Sequence, residues 1–321
     1  MNPPIVYHLF DATDTHYQAV ISIHNQLYPD APTNIEETRY WDTVLKTSGR
    51  HPYRILAYSE QRPVGSGWAY IESTPDHVIR FQIKISVLPD FAERGVIEDL
   101  YSQLNHLIAP HQPTQLATIT HENTPDIIHF LNSQGFELAI TSWKQVLDID
   151  AVKIGNYNTL FNNLTREGIK IETHASLVYA PNRDRKLYDL MIAVERDIPV
   201  VDMAEPLTYE AWRQDNSPES PYFLSDGLFV AVHGSDYVGV CQLFKPAKPK
   251  SLHNGITGVR KEYRRRGIAL ALKVSTIRFA QQHKITTITT YNASNNQPVL
   301  QMNKKLGFRK LPAELTYLKT L

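Results

Sequence analysis

The sequence contains almost no cysteine and has no excess of either charge. Cys241 is the single cysteine among 321 residues, so a disulfide within the chain is impossible and a cytoplasmic location is expected. Lysine and arginine together number 33, as do aspartate and glutamate, and this balance argues against binding nucleic acid or a membrane surface through bulk charge. The 13 histidines show no spacing typical of a metal site, and we expect no metal.

Long apolar runs are also missing, so the sequence predicts no membrane-spanning helix. The composition, with 42% hydrophobic and 21% charged residues, is typical of a globular protein. The length suffices for two domains that each bury a core. Cys241 lies in the apolar strand pattern VGVCQLF, which predicts a buried structural thiol rather than a nucleophile.

The most informative stretch is residues 255–280, GITGVRKEYRRRGIALALKVSTIRFA. Its pattern predicts a short strand, an arginine-rich turn and a helix that opens at Gly267. Backbone N–H groups at a helix start lack partners, and the helix dipole adds partial positive charge there. Gly267 lets the backbone approach an anion closely, and the three arginines before it add formal charge. The stretch therefore predicts an anion site suited to phosphate.

Several residues in and after this stretch match two cofactor motifs of one family. Arg264, Gly267 and Ala269 fit the pyrophosphate loop of the GNAT family of acyl-CoA-dependent N-acyltransferases, and Asn296 with the later Gly307-Phe308 pair fits its second motif. The chain thus resembles this family. The resemblance implies that the loop binds the pyrophosphate of coenzyme A and that the strand before it pairs with the pantetheine arm. The cofactor-binding residues that it implies are Thr257, Gly258, Val259, Arg264, Arg265, Arg266, Gly267, Ile268, Ala269, Asn292 and Asn296.

An internal repeat sets the domain count. Residues 87–108 align without a gap on residues 259–280, and two landmarks keep the same separation of 172 residues: the helix-opening Gly95 and Gly267, and the later Gly135 and Gly307. We expect two tandem GNAT-like domains, residues 1–150 and 151–321, with a strand at 138–148 closing the first. By the resemblance, each has an α/β fold with a mixed, mostly antiparallel twisted sheet flanked by helices.

The two copies differ in chemistry. The arginine position of the loop is Ala92 in the first copy, the small-residue position is Ile97, and Thr124 replaces the asparagine of the second motif. Ile97 would crowd a phosphate, and Glu93 adds negative charge beside it. We expect the first domain to be structural, while a degenerate but still occupied CoA site is the alternative.

The resemblance also suggests catalytic groups. It implies that the N–H of Val259, or of a neighbour, faces the thioester carbonyl. Many family members place a tyrosine as general acid four residues before the glycine of the Gly-Phe pair, and Asn303 occupies that position here. Asn303 can donate a hydrogen bond to sulfur but cannot supply a proton, so water or another tyrosine must do so. Tyr291 and Tyr317 are candidates.

The base is less evident. Asp197 and Glu205 lie in the region that lines the acceptor site in the family, and they are the candidates. A salt bridge or a helix cap is the alternative role for each.

The sequence thus predicts an N-acetyltransferase that moves an acetyl group from acetyl-CoA directly to an amine in a ternary complex. We expect a small-molecule amine as acceptor, no nucleic-acid or membrane partner, and a monomer or homodimer. The alternative is a non-catalytic acyl-CoA-binding or regulatory module, motivated by Asn303 and by the lack of a carboxylate in residues 254–260.

Overall fold

The computed structural model describes residues 3–29, 32–72, 74, 78–152, 154–155, 157–198, 207–245 and 249–321. The chain divides into two compact units. Unit 1 consists of residues 1–141 together with 312–321, and unit 2 consists of residues 142–311. The division comes before the expected boundary at residue 150, and the C-terminal strand belongs to unit 1.

Unit 1 is a six-stranded sheet with helices. Its elements are β1 (Ile5–Leu9), α1 (Asp14–Leu27), α2 (Ile35–Thr47), β2 (Tyr53–Ser59), β3 (Arg62–Ile71), β4 (Arg80–Val87), α3 (Val96–Ile108), β5 (Gln115–His121), α4 (Pro125–Ser133) and most of β12 (Arg309–Thr320). The strand order is β1-β2-β3-β4-β5-β12. Only β4 and β5 pair in parallel, and the other neighbours are antiparallel.

The core of unit 1 forms where α3 packs on this sheet. Its apolar residues recur at helical spacing, so that one face is buried: Val96, Ile97, Leu100, Leu104 and Ile108. Gly67 in β3 permits the close approach, since a Cβ there would lie 3.0 Å from Cδ1 of Leu104.

Unit 2 repeats this architecture. Its elements are most of β6 (Glu137–Asp148), α5 (Asn158–Arg166), β7 (Ile169–Thr173), α6 (Arg183–Glu195), α7 (Tyr209–Asp215), β8 (Phe223–His233), β9 (Asp236–Phe244), β10 (Ser251–Val259), α8 (Ile268–Gln282), β11 (Thr287–Ala293) and α9 (Gln297–Lys305). The strand order is β6-β11-β10-β9-β8-β7, with only β10 and β11 parallel. The predicted fold class, a mixed and mostly antiparallel sheet flanked by helices in each unit, is confirmed.

The two faces of the unit 2 sheet bury separate apolar clusters. Cys241 and Leu252 pack under α8, whereas Val230 and Val240 pack with α6 and α7. Cys241 is fully buried, and burial raises the pKa of its thiol. The predicted burial of Cys241 is confirmed.

One expectation about the strands was wrong. The strand predicted at 138–148 was expected to close the first domain, but β6 pairs with β11 of unit 2 from residue 142 to residue 148. The last strand, β12, pairs with β5 of unit 1 from residue 314 to residue 320. Alternating side chains predict that a strand forms, but they do not specify which sheet it joins.

None of the helices in the described ranges combines the length and apolarity that crossing a membrane requires.

Candidate functional site

The site begins where two parallel strands of unit 2 diverge. β10 and β11 pair only from Ser251 to His253, whereas β10 continues to pair with β9 as far as Val259. Within the described residues, β10 therefore has one unpaired edge over residues 255–259, here called the open edge. Arg260 N donates to Val238 O at 2.9 Å, and strand N–H groups alternate in direction, so the N–H of Val259 points to the open edge.

A β-bulge lies at the start of the open edge. Asn254 is opposite Leu243 and Thr257 is opposite Cys241, so β10 contains one extra residue between these pairs. Bulges re-aim the groups that follow them and are common beside active sites.

The open edge leads directly into a turn that favours anions. A short 3-10 turn follows β10, and Gly267 then opens α8 with a φ of +83°. No side chain caps this helix, and in the described part of the chain no acceptor is found for the backbone N–H groups of residues 265–269. A Cβ on Gly267 would lie 2.5 Å from Cδ1 of Leu160, so both the left-handed conformation and the limited space favour glycine here.

Two basic side chains of this turn share one carboxylate. Arg264 donates through Nε to Val259 O at 2.9 Å, and its guanidinium contacts the carboxylate of Asp197. Nζ of Lys261 lies 3.0 Å from the other oxygen of Asp197. Hydrogen bonds from Lys261 and then Arg264 lower the pKa of Asp197, so this carboxylate is a weak proton acceptor. Glu205, the other predicted base, lies outside the described residues.

A cluster of amides lies near the end of β11. Oε1 of Gln145 accepts hydrogen bonds from Nδ2 of Asn292 at 3.1 Å and from Nδ2 of Asn303 at 2.8 Å. Asn303 is fully buried, and its Oδ1 has no hydrogen-bond partner among the described residues. Asn296 directly precedes α9 and accepts from Leu300 N through its carbonyl. Sequence reasoning missed Gln145 because it lies in a strand from the first copy and belongs to no motif.

The sheet face opposite α8 carries an aromatic pair. Leu252 and Ile288 pack under α8, so the alternation of β-strand side chains places His253 and Tyr291 on the other face. Their rings are 5.8 Å apart, and Nζ of Lys144 is 5.7 Å from the Tyr291 ring. Burial, followed by the charge of Lys144, lowers the pKa of His253 to about 4, so this imidazole is neutral at pH 7. Tyr317, the other candidate tyrosine, packs in the core of unit 1.

Unit 1 has the same backbone turn with different charges. Gly95 opens α3 with a φ of +75°, as Gly267 opens α8. The first turn of α3 carries Glu98 and Asp99, whereas the first turn of α8 carries no acidic residue. A cleft of about 450 Å³ lies beside this turn. Ile97, which was expected to crowd a phosphate, is one of the residues that line the cleft.

Among the described side chains, no group of three or more His, Cys, Asp or Glu is placed to hold a metal ion.

Comparisons with known proteins agree with this geometry. Residues 195–308, which include the open edge, the turn and Asn303, match the model of the acetyltransferase (GNAT) family. A search by sequence of curated proteins found no match. Residues 195–308 therefore match a GNAT domain, and the general chemistry of that family is acyl transfer.

Solved structures share the fold of the whole chain. A GCN5-related N-acetyltransferase from Sphaerobacter thermophilus matches with a TM-score of 0.72 at 16% identity, over 99% of this chain and 96% of that one. A tandem GNAT protein from the clavulanic acid biosynthesis pathway matches with a TM-score of 0.73 at 16% identity, over 99% of this chain and 98% of that one. A glucosamine N-acetyltransferase region of a fungal multi-domain GH3 beta-N-acetylglucosaminidase matches with a TM-score of 0.72 at 12% identity, over 99% of this chain and 38% of that one. The chain has the tandem GNAT fold.

Proposed function

We propose that unit 2 transfers an acetyl group from acetyl-CoA to the amine of a small molecule. The observation that carries this proposal is the continuity of the open edge with the turn at Gly267. A strand edge with unpaired N–H and C=O groups runs straight into an uncapped helix start that is flanked by arginines. A thioester cofactor matches these two features in the same order: its amide-containing arm fits the strand edge, and its pyrophosphate fits the helix start.

The residues of the turn fit a pyrophosphate. The free N–H groups of residues 265–269 can donate to phosphate oxygens, and Gly267 keeps a side chain out of their way. Arg264 is anchored to Val259 O by its Nε and can turn its remaining N–H groups from Asp197 to phosphate. The open-edge N–H groups of Thr257 and Val259 would pair with the pantetheine arm, whereas the N–H of Gly258 faces β9.

The chemistry that follows is direct transfer. The amine nitrogen attacks the thioester carbonyl carbon, a C–N bond forms and the C–S bond breaks. The nitrogen loses one proton to water, and the CoA thiolate takes up one proton. The N–H of Val259 would polarise the carbonyl from the open edge. Tyr291, on the strand that diverges from β10, is the proposed proton donor. We assign no base to Asp197, because its lowered pKa makes it a weak proton acceptor.

The proposed acceptor is a small primary amine. The similar fungal region is described as a glucosamine N-acetyltransferase, and the similar tandem protein belongs to a small-molecule pathway. His253 is neutral and lies on the sheet face away from α8, where it would wall the acceptor pocket. For unit 1 we propose a structural role, because Glu98 and Asp99 oppose an anion at its helix start.

The test is release of free CoA thiol from acetyl-CoA when a panel of small amines is supplied. The proposal predicts release that depends on an amine and is lost in Arg264→Glu. Binding of acetyl-CoA without any amine-dependent release would favour the alternative, a non-catalytic acyl-CoA-binding module. The buried, hydrogen-bonded Asn303 in the usual tyrosine position is the observation that keeps this alternative open.

A further inference from the structure

A fully buried lysine lies directly beneath the open edge. Lys273 is on the sheet-facing side of α8 and is 1% exposed. Its Nζ donates a hydrogen bond to Oδ1 of Asn254 in β10, which is also 1% exposed. No carboxylate pairs with Lys273 among the described residues, and burial lowers its pKa. Burying a lysine costs free energy of folding unless its amine makes compensating interactions.

Asn254 uses both ends of its amide across the β-bulge. Its Nδ2 donates to Gln242 O at 2.9 Å and lies 3.4 Å from Ile256 O. Its Oδ1 accepts from Oγ1 of Thr257 at 3.2 Å as well as from Lys273. Ile256 is in the bulge and Thr257 is the first residue after it. One side chain therefore joins the bulge to β9 on one side and to α8 on the other.

Among the described residues of unit 1, the strands equivalent to β9 and β10 show neither this bulge nor the amine–amide pair. Its β3 and β4 pair residue for residue from Gly65–Val87 to Ile71–Phe81 without a register shift. At the repeat offset, Tyr101 replaces Lys273 and Gln82 replaces Asn254. The bulge and the pair occur together in the unit whose turn is suited to phosphate.

We infer that Lys273 and Asn254 are positioning residues for acyl transfer. They fix the bulge so that the N–H groups that follow it on the open edge, above all that of Val259, are aimed at the thioester carbonyl. Neither side chain touches the substrate, and Lys273 acts through Asn254. Hydrogen-bond donors that are held in place before the reaction stabilise the transition state more than donors that must be reoriented. This inference rests on the proposed function of unit 2.

The test uses Lys273→Met and a readout of the carbonyl itself. Methionine is similar in length and apolar, and Oδ1 of Asn254 keeps its hydrogen bond from Thr257, so the midpoint of urea unfolding should change little. The measurement is the infrared stretching frequency of bound acetyl-CoA labelled at the carbonyl carbon. In the wild-type protein the frequency should fall on binding, because a hydrogen bond weakens the C=O bond. In Lys273→Met it should return toward the solution value, with the affinity for CoA unchanged.

Two further variants complete the design. Thr276→Val removes a different buried polar group, a hydroxyl, from α8 and should leave the frequency as in the wild type. Asn254→Asp keeps an acceptor for Lys273 but loses the donor to Gln242 O and Ile256 O, so it should also raise the frequency. If Lys273→Met does not fold, Asn254→Asp carries the test.

The outcomes are separable. A wild-type frequency shift that both variants retain would overturn the inference, as would binding of acetyl-CoA by the wild type with no shift. In both cases the proposed cofactor site would stand. Failure of the wild type to bind acetyl-CoA would overturn the proposed function and the inference together.

Discussion

Replacing the two helix-opening glycines by alanine should have unequal effects. Gly95 and Gly267 both have left-handed φ angles, +75° and +83°. An L-residue in this conformation costs ~1–2 kcal/mol, and both variants bear that cost. A Cβ on Gly95 meets nothing within 4 Å, whereas a Cβ on Gly267 would lie 2.5 Å from Cδ1 of Leu160. Cδ1 is the end of a flexible side chain, so the additional cost of Gly267→Ala should be about 1 kcal/mol, at the low end for overpacking.

The assay combines urea unfolding with CoA titration on the same variants. Gly95→Ala should lower stability modestly and leave CoA binding intact. Gly267→Ala should lower stability further and weaken CoA binding, because the new methyl group lies beside N–H groups that donate to phosphate. Adding Leu160→Ala should relieve the overlap, so Gly267→Ala should cost less stability in that background, but CoA binding should remain weak.

Either of two results would refute this reasoning. Equal loss of CoA binding in Gly95→Ala and Gly267→Ala would show that the two turns are not functionally different. Full recovery of CoA binding by Leu160→Ala would show that the overlap, and not proximity to phosphate, caused the loss.

Three further predictions follow from charged groups. Asp197→Asn should tighten CoA binding by at most about fivefold, the equivalent of one exposed ion pair, because it removes a competitor for Arg264; weaker binding in titration would contradict this. Asp42→Ala should lower the free energy of unfolding in urea by ~3–5 kcal/mol. It leaves the guanidinium of Arg54, whose side chain is 11% exposed and donates to the Asp42 carboxylate at 2.6 and 2.7 Å, without an ion-pair partner. A loss below about 1 kcal/mol would refute this prediction. His253 has a folded pKa of about 4 against an ordinary value of 6.5, so it does not alter stability above pH 6.5 and lowers it as the pH falls toward 4, by up to about 1.4 kcal/mol per pH unit. His253→Gln should reduce that slope, and an unchanged slope would count against the lowered pKa.

The anion-binding turn could be predicted from the sequence because its determinants are local. Gly267, the arginines before it and the apolar spacing of α8 are consecutive in the chain, and the separation shared with Gly95 revealed the repeat. A salt bridge was one of the alternative roles of Asp197, but its partners Lys261 and Arg264 could not be predicted, because they are more than sixty residues away. Long-range pairing leaves no signal in one sequence.

The assignment of the last strands and the buried polar pair were missed for the same reason. β6 and β12 alternate as any half-buried strand does, and the alternation is equally compatible with either sheet. In the sequence, Lys273 looks like an ordinary lysine near the start of an amphipathic helix. The only sign that its side chain faces the sheet is its position four residues before the buried Ile277. The hydrogen bond from Lys273 to Asn254 depends on the β-bulge, and no sequence motif marks this bulge.

The most direct test of the central claim, an acyl-CoA site in unit 2 only, is isothermal titration of the purified protein with CoA. The account predicts one molecule of CoA per chain, binding that is lost in Arg264→Glu, and binding that is retained in Arg94→Glu, the charge reversal in the equivalent turn of unit 1. Two molecules per chain would contradict the proposed structural role of unit 1. No binding, or undiminished binding in Arg264→Glu, would contradict the proposed site itself.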